Sequence, residues 1–377
     1  MISRPPLRNL AMPLALIGIC VFFALHESAF LGPRNLTQLI VEFSITGTLA
    51  LGMFMILLTG QIDLSVGSGV GLIGGIAAVL VFQHGWPAPW AMLAAAAVAI
   101  LLWTLMGALI VRQRIPSFII TLGGLLIFKG LFWLVIQNST VPVARGDRDN
   151  LYSLLTTYYL PAKVGLGLAL AVLLGLGLTT WRSRVARLAS GLPVRSLPVM
   201  AGAGLAAVGG IVGLVVLCNQ FRGVPLTLLI LAATAGIVYF LTCHTPFGRY
   251  LYAIGGNEEA AVLSGIAVNR VLIGAYVLMG VTVALTGFMT TAYSGASTTT
   301  VGDLMELDAI AACVIGGTAL RGGRGSVGGV IFGALIMTAL LNGMTLLAVS
   351  PEIKFIARGA VLTLAVWLDV VLGRAKN

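Results

Sequence analysis

Five ionisable side chains lie within or at the edges of apolar runs: Glu42, Asp63, Lys129, Asp308 and Arg358. A charge at membrane depth costs at least about 2.5–3.5 kcal/mol, so each must pair, line a polar path or reach an interface. Asp63 and Asp308 are expected at span ends, as solvated ends or helix-terminal caps. Glu42 and Lys129 lie deeper. They either pair with each other or face a path, and Lys129 can also snorkel. Coupling to protons or sodium would place several acids near the midplane. Glu42 alone is so placed, which weighs against an ion-coupled carrier.

Bond-making chemistry lacks its parts. His26, His84 and His244 each sit near a span end and share no motif. There is no H-E-x-x-H zinc pattern and no G-x-x-x-x-G-K-[ST] phosphate cradle, so ATP, if used, is bound by another chain. Cys20, Cys218, Cys243 and Cys313 fall in or beside apolar runs at no regular spacing. They read as small buried residues, not as disulfides or metal ligands. No catalytic residue, metal or cofactor is expected.

The elements that position these groups follow from composition. Of 377 residues, 59% are hydrophobic and 9% charged, against about 25% charged in soluble domains. Apolar runs of about 20 residues, each able to cross a ~30 Å hydrocarbon core, recur along the chain. Twelve spans are expected, at 12–31, 36–59, 65–83, 90–111, 117–137, 158–180, 199–218, 223–242, 271–292, 307–320, 326–348 and 354–373. The fold class is therefore an all-α polytopic membrane protein of about 10–12 transmembrane helices, a single domain over 1–377. Arg4 and Arg8 precede an apolar run of about 20 residues with further spans behind it, as an uncleaved first helix would.

The net charge is +10, yet the basic residues form no basic face and are not interleaved with aromatics. Membrane orientation explains them better than nucleic acid does. With an even span count, fourteen of the 22 lie on one side: Arg4, Arg8, Arg112, Arg114, Arg182, Arg184, Arg187, Arg195, Arg249, Arg270, Arg321, Arg324, Arg374 and Lys376. Arg34, Arg145, Arg148, Lys163, Arg222 and Lys354 lie on the other. The positive-inside rule makes the first side cytoplasmic, with both termini there.

Three polar stretches interrupt the apolar pattern. The first is "GRYLYAIGGNEEAAVLSGI", within an expected cytoplasmic loop at 243–270. Asn257 is a good N-cap, Glu258 and Glu259 suit the first turn, and Gly265 is a natural C′ stop. A helix this short is unstable alone. It either rests on its own membrane domain through Val262, Leu263 and Ile266 or docks in a partner's groove. The second is a pair of glycine-rich breaks, "TGQIDLSVGSGVGLIGG" and "GGTALRGGRGS". "VGSGVGLIGG" and "RGSVGGVIFG" resemble one another, as an internal repeat would. Gly67, Ser68, Gly71, Gly325, Ser326 and Gly328 are the pathway or gate candidates, and tight turns followed by glycine-lined packing are the alternative. The third comprises the external segments 138–163 and 294–308. There Arg145, Arg148, Asp147, Asp149, Asp303 and Glu306, with Arg222, either dock a soluble partner through rim charges or solvate a loop.

The stretches "EFSITGTLALGMFMILLTGQIDLSVGS", "IPSFIITLGG", "FGRYLYAIGGNEEAAVLSGI" and "ELDAIAACVIGGTALRGGRGSVGG", in this order, resemble the permease subunits of bacterial ABC sugar importers, the ribose/xylose/arabinose/galactose group. The resemblance runs from about residue 36 to the C-terminus. It is strongest to the xylose branch, which has similar extra apolar sequence near 158–218. It implies a vitamin-B12-importer-like architecture in the inner membrane and a permease homodimer. Its implied partners are cytoplasmic ABC ATPase subunits, a periplasmic sugar-binding protein and membrane lipid. It also implies a coupling helix within Asn257–Gly265, with Glu258, Glu259, Ala260, Ala261 and Ser264 at the ATPase surface. Val262 stands where relatives often carry arginine, which removes one basic group from that contact. The resemblance implies no sugar ligands within the permease.

Overall fold

Residues 7–146, 149–194 and 196–374 are described by the computed structural model. The helices are α1 (Leu7–His26), α2 (Pro33–Leu58), α3 (Val66–Phe82), α4 (Ala88–Gln113), α5 (Ser117–Ile136), α6 (Leu151–Thr157), α7 (Ala162–Ala189) and α8 (Leu197–Asn219). They continue with α9 (Leu226–His244), α10 (Pro246–Gly256), α11 (Glu258–Leu263), α12 (Val268–Tyr293), α13 (Met305–Ile315), α14 (Val327–Leu346) and α15 (Pro351–Arg374). Proline occupies the first or second position of α2, α4, α8 and α10, where its missing N–H costs nothing and its fixed φ suits a helix start.

Each of the twelve expected spans falls on one helix. Among the described residues eight (α2, α4, α5, α7, α8, α9, α12 and α14) are long and apolar enough to cross a membrane, so the protein is multi-pass. The expectation at 307–320 needs correction. α13 stops at Ile315 and 316–326 is loop. Eleven residues rise only about 16 Å, roughly half a hydrocarbon core. The chain gains the remaining depth without a helix. After α12, strand β4 (Ala296–Ser297) pairs antiparallel with β1 (Val141–Pro142) near the end of α3. The chain then descends along α3 until Val301 lies against Gly71 and Gly302 against Gly67. By helix rise that is roughly 16 to 23 Å below Phe82. Leu304, with φ +61, turns it into α13.

The core is built around α2, whose spanning window is 83% buried, whereas α7 and α8 are 11% buried. α2, α3, α12 and α14 supply the buried centre. The extra sequence near 158–218 instead forms a peripheral α7–α8 hairpin, tied to α2 by a small cluster of Ile40, Leu160, Ala169, Val215, Cys218 and Val224. A short ladder of β2 (Tyr159–Leu160) and β3 (Val224–Pro225) closes its base.

Two devices let polar residues live in this apolar bundle. Hydroxyls on α2 bond back to their own helix: Ser44 Oγ donates to Ile40 O at 2.7 Å and Thr48 Oγ1 to Ser44 O at 2.8 Å, so no donor faces hydrocarbon. Small residues let backbones touch. At Gly287 of α12 a methyl would meet the Val70 carbonyl of α3 at 2.7 Å, the close approach expected between membrane helices.

The break between α2 and α3 is held from within. Asp63 is fully buried, which overturns the solvated end, one of the two readings offered by sequence. It does lie at a helix start, two residues before Ser65, the N-cap of α3. Its Oδ1 accepts from Ser65 N at 2.8 Å and Ser65 Oγ at 2.6 Å, and its Oδ2 accepts from Trp103 Nε1 at 2.7 Å. Hydrogen bonds to a charged group contribute about 1.5–3 kcal/mol. A double-mutant cycle of Trp103→Phe with Asp63→Asn, read by thermal unfolding in detergent, is therefore expected to give a coupling energy of about 1.5–3 kcal/mol. A coupling near zero would mean that the indole does not hold the break.

Candidate functional site: a doubly capped helix beneath two glycine breaks

The region 243–270 holds two helices where one was expected. The first, α10, was missed, although Thr245-Pro246 followed by Phe247, Leu251 and Ile254 has helical spacing. Thr245 caps it, accepting from Gly248 N at 3.4 Å, and Leu251 and Ile254 are buried. Tyr252 OH donates to Gly325 O at 3.1 Å. Burial, reinforced by nearby Cys243, pushes the Tyr252 phenol above its ordinary pKa, so this donor keeps its proton.

Asn257 ends α10 and begins α11, its Oδ1 accepting from Ala260 N at 2.9 Å. At the other end Gly265 takes φ +80. Gly265 N bonds Val262 O at 2.9 Å and Ile266 N bonds Ala261 O at 3.1 Å, the paired 5→2 and 6→1 bonds of a Schellman cap. Ser264 Oγ donates to Ala260 O at 2.8 Å. A helix of six residues, capped at both ends, is fixed in shape by these bonds. Ala261 is buried, Glu258, Glu259, Ala260, Ser264 and Gly265 are exposed, and Leu263 is 89% exposed. The helix therefore touches its own domain through Ala261 and leaves Leu263 bare.

Behind α11 the end of α10 meets both glycine breaks backbone to backbone. A methyl at Gly255 would land on the Leu58 carbonyl and on Gly323 N. Gly323 N donates to Leu58 O at 2.9 Å, while Gly322 packs against Gly60. Gly60, Gly322 and Gly323 all have positive φ, between +72 and +86, which only glycine adopts readily. The two breaks singled out in the sequence are thus joined to each other and to the helix pair.

The pathway candidates divide. Gly67 lies against Glu306 and Gly302, Gly71 against Val301 and Phe132, and Ser68 is buried inside α3. Gly325 lies against Phe54 and Thr318, Ser326 caps α14 by accepting from Gly329 N at 3.1 Å, and Gly328 faces open space. Ser68 and Ser326, aligned by the apparent repeat, have different places: one is the third residue of α3 and the other the N-cap of α14.

On the opposite side the charges find local partners. Lys129 pairs with Asp303 and donates to Thr299 O at 2.8 Å. Glu42 accepts from Tyr293 OH at 2.9 Å and Asn342 Nδ2 at 3.3 Å. Lys129 and Glu42 do not pair with each other. Asp308 forms an ion pair with Arg358 at 3.1 Å and is buried, so it too is no solvated end. Of the rim candidates, Arg145 Nη2 donates to Gln83 O at 2.9 Å at the end of α3. Arg222 lies over Tyr159 and Phe221, and Asp303 keeps half of its side chain exposed. Glu306 is 7% exposed beside Gly67 and does not lie at a rim. Asp147 and Arg148 lie outside the described residues. Among the described residues no three His, Cys, Asp or Glu side chains converge as a metal site would require.

No solved structure matches the chain. The Xylose transport system permease protein XylH of Escherichia coli (strain K12) is 38% identical over 364 residues, covering 96% of this chain and 92% of that protein. The protein of the same name from Haemophilus influenzae (strain ATCC 51907 / DSM 11121 / KW20 / Rd) is 39% identical over 366 residues, 96% of each. The Ribose import permease protein RbsC of Bacillus subtilis (strain 168) is 31% identical over 356 residues, covering 94% of this chain and 91% of that protein. Residues 35–366 match the family described as branched-chain amino acid transport system / permease component, and this chain belongs to that family: it is a membrane transport component, not an enzyme.

Proposed function

We propose that this chain is the permease subunit of an ATP-driven monosaccharide importer of the bacterial inner membrane, with D-xylose as its substrate. The observation that carries the mechanism is the contact of α10 with both glycine breaks beneath an exposed, doubly capped α11. Both termini and α11 face the cytoplasm in this reading, which the fourteen-to-six division of basic residues supports. A separate ATPase subunit grips α11 at the exposed Glu258, Glu259, Ala260 and Ser264, with Val262 and Leu263 beside them, while Ala261, expected at that surface, is buried against the chain's own domain. The permease works as a homodimer and receives sugar from a periplasmic binding protein.

Force then has a short route. When the ATPases close, α11 and α10 move together. Since Gly255 meets Leu58 and Gly323 with no side chain between them, there is nothing soft to absorb the displacement. The breaks at 59–65 and 316–326 shift, and α3 and α14 with them, around Gly67, Ser68, Gly71, Gly325, Ser326 and Gly328. Arg145, Arg222 and Asp303 present the rim charges to the binding protein. The names of the XylH relatives support xylose. Ribose is the second reading, supported by the 31% identity to a ribose permease over 94% of this chain.

Three outcomes test the reading. Glu258→Arg combined with Glu259→Arg is expected to weaken ATPase association roughly tenfold, about 1.4 kcal/mol, with membrane insertion intact. Co-purification at wild-type stoichiometry would refute the docking role. A Leu263→Cys variant is expected to react with an impermeant maleimide in inverted vesicles only, and labelling from outside intact cells reverses the orientation. Gly255→Val forces methyls onto backbone. It is expected to cost about 1–3 kcal/mol of stability and to abolish sugar uptake while leaving ATPase association intact. Uptake at wild-type rate would free α10 of any transmitting role.

A further inference from the structure

The α7–α8 hairpin carries a feature that force transmission does not use. Between Asp149 and Glu258 the chain has no acidic residue, yet it holds Lys163, Arg182, Arg184, Arg187, Arg195, Arg222 and Arg249. α7 has 28 residues and so rises about 42 Å, more than a ~30 Å hydrocarbon core requires. Its last turns therefore project past the apolar layer, and Trp181, 62% exposed, marks the level where aromatic residues favour the interface. Here α7 and the start of α8 flank an open cavity of about 410 Å³, lined by Thr179, Thr180, Ser183, Arg184, Arg187 and Met200 among others. Arg184 is half-buried and positioned, its Nη1 lying 3.1 Å from Met200 Sδ. Arg187 is exposed.

The surface leading to the cavity is apolar. Val172 and Leu176, 51% and 46% exposed, precede Thr179, Thr180 and Ser183 on the same face of α7. An interfacial cavity lined by two arginines, with hydroxyls beside it and bare apolar side chains below, is complementary to one chemistry. That is a phosphodiester headgroup carrying a negative charge, with acyl chains beneath it. We propose that the cavity between α7 and α8 binds the headgroup of an anionic phospholipid, held by Arg184 and Arg187. The proposal rests on the multi-pass reading alone and is independent of the transported sugar. It gives the otherwise thinly packed hairpin a lipid contact on the face that the rest of the chain leaves open.

The test uses the full chain purified in neutral detergent, titrated with phosphatidylglycerol, phosphatidylcholine or inorganic phosphate, with retained lipid read by native mass spectrometry. A basic residue near a charged headgroup is worth about fivefold in affinity. The wild-type chain is therefore expected to retain phosphatidylglycerol over phosphatidylcholine by roughly 25-fold, and Arg184→Gln with Arg187→Gln is expected to abolish that preference. Arg184→Lys with Arg187→Lys, which keeps the charge, is expected to retain most of it. Arg222→Gln, on the other side of the protein, leaves it unchanged. Equal retention of the two lipids by the wild-type chain would overturn the proposal without recourse to any variant. So would an undiminished preference in a glutamine double variant that elutes as a folded protein, or displacement of phosphatidylglycerol by millimolar inorganic phosphate, which would make the cavity a soluble-anion site.

Discussion

A backbone N–H or C=O beyond the reach of water must find its partner inside the protein, and the non-helical parts of this chain are arranged around that demand. The loop at 59–65 and the loop at 316–326 cannot face lipid. Their neighbours supply partners: Gly323 N bonds Leu58 O at the end of α2 at 2.9 Å, Gly322 lies on Gly60, and Ser117 Oγ of α5 accepts from Ile62 N at 3.2 Å. The glycines serve this closeness, since a single Cβ at Gly322 or Gly255 would separate the strands of backbone that bond. Asp63 completes the arrangement from the other side, tying the turn before α3 to the indole of Trp103.

The same closeness decides how motion can travel. α11 is too short to persist by itself, yet its Asn257 cap and Schellman turn hold it as a rigid knob on the end of α10. α10 in turn lies against both breaks with no intervening side chain. A shift of α11 that carried α10 with it would press on the two helix junctions that precede α3 and α14. Elsewhere the charges are bound locally, Lys129 to Asp303, Asp308 to Arg358, and Glu42 to Tyr293 and Asn342. Such pairing lowers the cost of ionisable groups near the apolar layer.

The bundle is graded from centre to edge. α2 is enclosed by α9, α12, α13 and α14, whereas the α7–α8 hairpin touches the core through one small cluster and otherwise shows leucine and valine outward. In a soluble protein that surface would aggregate. In a bilayer it is solvated by acyl chains, and the arginines at its tip meet the headgroups.

Much of this was legible in residue order. The twelve apolar segments and the caps of α11 at Asn257 and Gly265 are local properties, set by transfer energy and by bonds spanning three to five residues. α10 was legible too, in Thr245-Pro246 and the spacing of Phe247, Leu251 and Ile254, but a single-helix reading of the loop passed over it. What only the tertiary structure decided are the pairings across long separations. Examples are Asp63 with Trp103, Lys129 with Asp303 rather than Glu42, the burial of Glu306 against Gly67, and the meeting of Gly60, Gly255 and Gly322. Nothing in local sequence encodes which carboxylate a lysine reaches 174 residues away, or that an 11-residue α13 must be completed by a descending loop. Those outcomes follow from packing, because each depends on which backbones can come close enough to touch.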